Sequence, residues 1–229
     1  MLINGFQKMT LLDFPGKVAC TVFLGGCNFR CPFCHNAGLV LGSNPESYTE
    51  EEILSYLEKR KGLLDGVCIT GGEPTLRPDL LPFIEKVKAL GFAVKLDTNG
   101  TNPALLKELL DNALVDYVAM DIKNSFEKYP ETCGLDVMEL DSIKESIALL
   151  IGGKVDFEFR TTVVSPLHTP EDIEALAKEI SGAEKYFIQN FVDSGELLGS
   201  GMTALPRETL DQMLTIARKY IPETQLRGV

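Results

Sequence analysis

The chain has 229 residues, 45% of them hydrophobic, which is enough apolar material for a full core without disulfide staples. Its 33 acidic against 22 basic residues give a formal charge of −11. That balance speaks against a nucleic-acid partner or an anionic membrane, because phosphate affinity comes from clustered Lys and Arg. The opening Met1-Leu2-Ile3-Asn4-Gly5 lacks the charged-then-apolar order of a secretory signal. No apolar run approaches the roughly 18 residues of a membrane span. A cytoplasmic location is the expectation, and in a reducing compartment the six cysteines point to metal binding or chemistry rather than disulfides.

The first predicted strand covers residues 17–24. A helix follows from Thr49, which forms a capping box with Glu52, and Gly62 can close it. Residues 66–70 read as the second strand, and Pro78 and Gly91 bracket the helix after it. Strand 93–97 leads to Asn102-Pro103, an N-cap with proline at the first helical position, and strand 115–121 to a helix at about 137–150. Strand 156–163 precedes Thr169-Pro170, a second N-cap–proline pair, and strand 185–191 precedes a helix at about 207–220. These strands are near-continuous apolar runs, as parallel strands covered on both faces are. Six β/α units predict an α/β protein, either a partial barrel or an open doubly wound sheet. With no linker or repeat, residues 1–229 read as one domain, with a core at about 15–192 and a C-terminal loop and helix at about 193–229. Gly195 to Gly201 within that segment reads as a mobile loop that gates the open side.

In both architectures chemistry gathers at the carboxyl ends of the strands. Glycine or polar residues recur there: Gly26-Cys27, Gly71-Gly72-Glu73, Asp97-Thr98-Asn99-Gly100, Asp121 with Lys123, Arg160, and Gln189-Asn190. Cys27, Cys31 and Cys34 place three thiols within eight residues of the first such loop. A [4Fe–4S] cluster ordinarily takes four cysteines, so three would leave one iron with an open position, the mark of a reactive site. Zinc held by these cysteines and His35 is the competing reading, although adjacent Cys34 and His35 would struggle to meet one tetrahedral ion. Cys20 and Cys68 lie inside strand patterns and read as buried small apolar residues; Cys133 is expected to have no role. Read alone, Gly71-Gly72-Glu73 is a strand-to-helix turn, Asn99-Gly100 a turn, Asp121 with Lys123 a strand-end ion pair, and Arg160 a solvent-facing or ion-paired residue.

The spacing Cys-x3-Cys-x2-Cys, with Phe33 before the last cysteine, resembles the radical S-adenosylmethionine superfamily motif. Gly71-Gly72-Glu73-Pro74 strengthens the resemblance, which runs from about Phe6 to the 190s. It implies a partial (β/α)6 TIM-like barrel and an open iron chelated by S-adenosylmethionine. Reductive cleavage of the sulfonium would then give methionine and a 5′-deoxyadenosyl radical. Gly71 and Gly72 would let the backbone approach the methionine moiety, and Glu73 or neighbouring carbonyls would accept from its ammonium.

The segments at Asp97 and Asp121 are similar to those of activating enzymes for glycyl radical proteins. That similarity implies Asp97, Thr98 and Asp121, with the Ala119 carbonyl, as ligands of a monovalent cation, and Lys123 as a cofactor contact. Arg160 would meet a carboxylate. His35 and Asn36 would flank the adenosyl group, and Gln189 or Asn190 would stand where relatives place a ribose-contacting histidine. His168 reads as a loop residue. Met9-Thr10-Leu11-Leu12-Asp13-Phe14-Pro15-Gly16 resembles activases of anaerobic ribonucleoside-triphosphate reductase, with Asp13 near the partner's glycine loop; its plain alternative is a turn residue. The expected partners are that reductase and a flavodoxin- or ferredoxin-like electron donor. An activase of a formate-lyase-like enzyme, a radical enzyme for a small molecule, and an iron–sulfur electron carrier are the other readings.

Overall fold

The computed structural model describes residues 1–42, 47–193 and 195–228; Ser194 and Val229, in the expected C-terminal segment, lie outside them. In chain order the elements are β1 (Leu2–Ile3), β2 (Gly5–Thr10), β3 (Ala19–Leu24), α1 (Ala37–Leu41), β4 (Tyr48–Thr49), α2 (Glu50–Glu58) and β5 (Gly66–Gly71). A 3-10 turn (Pro74–Leu76), α3 (Leu80–Ala89), β6 (Ala93–Thr98), α4 (Pro103–Asp111), β7 (Tyr117–Asp121), α5 (Tyr129–Thr132) and α6 (Asp141–Ile151) follow. The chain ends with β8 (Asp156–Val163), α7 (Pro170–Glu179), β9 (Tyr186–Asn190), α8 (Arg207–Ala217) and β10 (Thr224–Arg227).

The six predicted strands are β3, β5, β6, β7, β8 and β9, each followed by helix, so the α/β class is observed. Helix starts follow their caps. Thr49 and Glu52 exchange the two bonds of a capping box at α2, and Thr169 and Asp172 do the same at α7. The Asn102 side chain accepts from Leu105 N–H ahead of Pro103 at α4. Gly91, at φ +92°, closes α3 in a left-handed conformation that a side chain would resist. None of the described helices is long and apolar enough to cross a membrane.

The chain forms two compact units. The first holds Met1–Asn28, Gly38–Ala119 and Gly153–Asp156, with strands in the order β2-β3-β5-β6 followed by the first residues of β7. β2 runs antiparallel to β3, whereas β3, β5 and β6 are parallel. Their register sets Thr21, Cys68 and Lys95 side by side. Phe14, Ala19 and Tyr117 pack together as one buried cluster against Ala93, and Ile53, Leu57, Phe83, Ile84 and Val87 are the buried faces of α2 and α3.

The second unit holds Phe29–Ala37, Met120–Gly152 and Phe157–Val229, with the end of β7 followed by β8, β9 and β10. β8, β9 and β10 are parallel, and Phe159, Tyr186 and Ile188 are fully buried among them. Glu158, buried in β8, is neutralised by a two-pronged Arg227 at 2.7 and 3.0 Å, whose guanidinium also lies 3.4 Å from the Phe187 ring centre.

Candidate active site

In the first unit the strand ends are stitched together by backbone. Gly72 N–H donates to Leu24 O and Glu73 N–H to Gly26 O, both at 2.8 Å. A Cβ on Gly72 would lie 1.9 Å from Gly26 O, and one on Gly71 (φ +127°) 2.3 Å from Leu24 O. The two glycines therefore serve backbone-to-backbone packing that fixes the turn leading into Cys27. Glu73 is likewise engaged within the chain. Its Oε1 accepts from Thr75 N, Thr75 Oγ1 and Thr98 Oγ1 at 3.0, 2.5 and 2.8 Å, and its Oε2 from Asn99 N at 2.6 Å. Burial pushes this carboxyl's pKa up against those bonds. Glu73 clamps the end of β5 to the end of β6.

Asn28, directly after Cys27, accepts from Asn99 Nδ2 at 2.9 Å and donates to Thr101 Oγ1 at 3.0 Å. Asn28, Asn99, Thr75 and Thr101 were not singled out as a group by the sequence; only Asn99 was named, as a strand-end residue and in an Asn-Gly turn. Asp97 carries the ammonium of Lys95 on its carboxylate. Thr98, one residue on and so facing the other side of the strand, gives its hydroxyl to Glu73. Asp13 is half-buried, and its carboxylate accepts from Thr21 Oγ1 at 2.5 Å, three residues before the end of β3.

In the second unit the cysteine loop is held from two sides. Arg30 N–H donates to Cys133 O at 2.8 Å, and a Cβ on Gly134 would sit 2.3 Å from Arg30 O. Gly199 N–H donates to Pro32 O at 2.8 Å, and a Cβ there would meet Pro32 Cβ at 2.5 Å. Gly199 of the 195–201 loop thus packs on the residue after Cys31. Cys133 is corrected. It is fully buried, and its hydrogen bond to Cys31, with the charge of Lys123, brings the Cys31 thiol down to about 7 despite burial. Burial pushes Cys34 up, against a hydrogen bond from Asn36 N–H. Phe33 is buried edge-on to His168, with ring centres 6.1 Å apart, and the His35 ring lies 5.6 Å from that of Phe191.

Asp121, at the end of β7, accepts from Lys123 Nζ at 3.0 Å and from Arg160 Nε at 2.9 Å. Burial opposes charge at both Asp121 and Lys123, yet the charges of Arg160 and Lys123 hold Asp121 far below the usual carboxylate range, and Asp121 in turn holds Lys123 above the usual amine range. Asp121 thus sits between two cations, Lys123 and Arg160. His168 is a buried tie, with Nε2 2.8 Å from Lys123 O and Nδ1 3.2 Å from Val164 N. Asn190 is committed to the backbone of Leu205 at 3.0 and 3.2 Å.

The donor chemistry fits an iron–sulfur cluster. The three thiols are soft ligands, and one of them ionises near neutrality. Among the described residues no three His, Cys, Asp or Glu side chains could hold a single metal ion, and a cubane asks for none, since each thiolate takes its own iron.

The Radical SAM superfamily model matches residues 21–180. A Methanocaldococcus jannaschii protein named, by inference, a glycyl-radical enzyme activating enzyme is 37% identical over 235 residues, covering 100% of this chain and 96% of that one. The pyruvate formate-lyase-activating enzyme of Clostridium pasteurianum is 28% identical over 207 residues, covering 80% of this chain and 84% of its own. A solved domain of pyruvate-formate lyase-activating enzyme from Bacteroides vulgatus superposes with a TM-score of 0.56 at 18% identity, over 71% of this chain and 99% of that one, and speaks for the fold. The chain belongs to the radical SAM superfamily, enzymes whose cofactors are a [4Fe–4S] cluster and S-adenosylmethionine.

Proposed function

We propose that this chain activates a glycyl radical enzyme, with anaerobic ribonucleoside-triphosphate reductase as its partner. The observation that carries the activase reading is the full-length similarity to the M. jannaschii protein. The segment from Met9 to Gly16 favours the reductase as partner. The cluster and S-adenosylmethionine would supply the radical chemistry that removes a Cα hydrogen from one glycine of the partner, leaving a stored glycyl radical.

The chain's own work is positioning, because an unconfined radical attacks the nearest C–H bond. Cys27, Cys31 and Cys34 hold the cluster. Gly71, Gly72 and Glu73 fix the turn that carries Cys27. Lys123 and Arg160 receive the cofactor carboxylate. Phe33, His35 and Asn36 line the adenosyl side, Gln189 meets the ribose, and Asp13 faces the partner's glycine loop. A flavodoxin- or ferredoxin-like donor supplies the electron. A cytoplasmic location belongs to the same reading, since a reduced cluster needs a reducing compartment.

Similarity to the Clostridium pasteurianum enzyme favours a second partner, a formate-lyase-like protein. The test is anaerobic reconstitution with reductant, S-adenosylmethionine and each candidate partner in turn, followed by electron paramagnetic resonance and assay of 5′-deoxyadenosine. A glycyl radical on the reductase supports the proposal, and one on the lyase alone supports the second reading. Deoxyadenosine without a radical on either protein overturns the activase reading.

A further inference from the structure

We infer that Lys95 supplies, as a covalently held ammonium, the positive charge that a bound monovalent cation would bring to the carboxyl end of β6. A hard cation needs several oxygens free to meet at one point, and here Lys95 already occupies the Asp97 carboxylate. The Asp97 carboxylate carries Lys95 Nζ, which also lies 3.8 Å from Cys68 Sγ. The neighbouring Thr98 hydroxyl points to the opposite face, where it donates to Glu73 Oε1 at 2.8 Å and accepts from Gly100 N–H at 3.1 Å. A second cation at Asp97 would press against the ammonium in a medium of low dielectric.

Lys95 is only 2% exposed, in register with Thr21 and Cys68. An apolar residue there would fill the row without desolvating a charge, so the ion pair is weak evidence for a stabilising role. Its consequence is electrostatic: Asp97 is neutralised and held at the strand end without a dissociable ion. Lys95 is thus a positioning residue acting through Asp97. The inference does not depend on which partner protein the enzyme serves.

The test is S-adenosylmethionine binding to the reconstituted full-length protein, by equilibrium dialysis in potassium, sodium or choline chloride at constant ionic strength. Wild type should bind with the same affinity in all three salts, within about twofold, because its cation is built in. Lys95→Met should bind about tenfold or more weakly in choline and recover in potassium or sodium. Lys95→Arg, which keeps the charge, should remain independent of the salt cation and decides the matter if the Met variant does not fold. Loss of wild-type affinity in choline overturns the inference. So does unchanged binding by Lys95→Met in choline, a Met defect that neither potassium nor sodium repairs, or cation dependence in Lys95→Arg.

Discussion

The backbone N–H of Glu73 donates to the carbonyl of Gly26 at 2.8 Å, so the residue immediately before Cys27 is fixed by the end of a neighbouring strand. The Gly71-Gly72-Glu73 turn and the first cysteine are therefore one mechanical unit. Gly72 N–H on Leu24 O, also at 2.8 Å, adds a second stitch. The motif's glycines act on the metal site through the chain that carries Cys27.

Gly72→Ala tests this coupling. The added methyl would stand 1.9 Å from Gly26 O, and because the obstacle is backbone, the turn must move. The expected result is a loss of about 2–4 kcal/mol in urea unfolding of the cluster-free protein, with reconstituted iron well below the wild-type load. A variant that keeps wild-type stability and a full cluster would show that the turn yields without disturbing Cys27.

Glu73→Gln probes the clamp. The amide would place an N–H₂ group where Oε2 now accepts from Asn99 N–H at 2.6 Å, leaving a buried donor unpaired. The expected loss is about 1–3 kcal/mol in urea unfolding at pH 7. A change below about 0.5 kcal/mol would mean that the carboxylate is dispensable to the fold and would restore it as a candidate ligand contact.

The strands were legible because each is a near-continuous apolar run between turn signals. β2 was not: Gln7, Lys8 and Met9 are all exposed and give no alternation. β10, four residues long, is too short for periodicity to reveal. In the site, the three cysteines and the strand-end residues could be read from spacing. Their partners could not. Nothing local in the sequence says that Asn28 meets Asn99 or that Cys133 lies against Cys31, since 71 and 102 positions separate these pairs (99 − 28, 133 − 31). Lys95 passed as part of an apolar strand because its compensation by Asp97 depends on the two side chains sharing one face, with Cys68 across the register.

The cysteines can be sorted by substitution. Replacing Cys27, Cys31 or Cys34 singly by Ala should abolish S-adenosylmethionine cleavage under strict anaerobiosis. Cys133→Ala should retain the cluster, because Cys133 serves Cys31 as a hydrogen-bond partner and packs as a small buried residue. Its expected stability loss is about 1–2 kcal/mol. Iron and sulfide analysis with 5′-deoxyadenosine assay reads both arms. Cleavage surviving any of the three Ala changes, or cluster loss in Cys133→Ala, contradicts this division of labour.

Asp172 gives a pH dependence away from the cysteines. Burial works against its charge, but the hydrogen bond from Lys128 at 2.8 Å and those from Thr169 N–H and Oγ1, at 2.9 and 3.0 Å, outweigh it. Its carboxyl therefore titrates below the ordinary value of 3.8 in the folded chain. A group whose folded pKa is depressed stabilises fully above its unfolded pKa and loses that contribution as pH falls through the folded one. Asp172→Asn should thus destabilise the cluster-free protein by about 1–2 kcal/mol at neutral pH, through the weakened α7 cap and the lost Lys128 pair. The gap between variant and wild type should hold down to about pH 5 and narrow below 3.8, as the wild-type carboxyl takes up its proton. Urea unfolding of both proteins at neutral, mildly acidic and strongly acidic pH measures it. A gap that stays constant or widens on acidification would mean that the cap works by shape alone, and that the charge of Asp172 contributes nothing to α7.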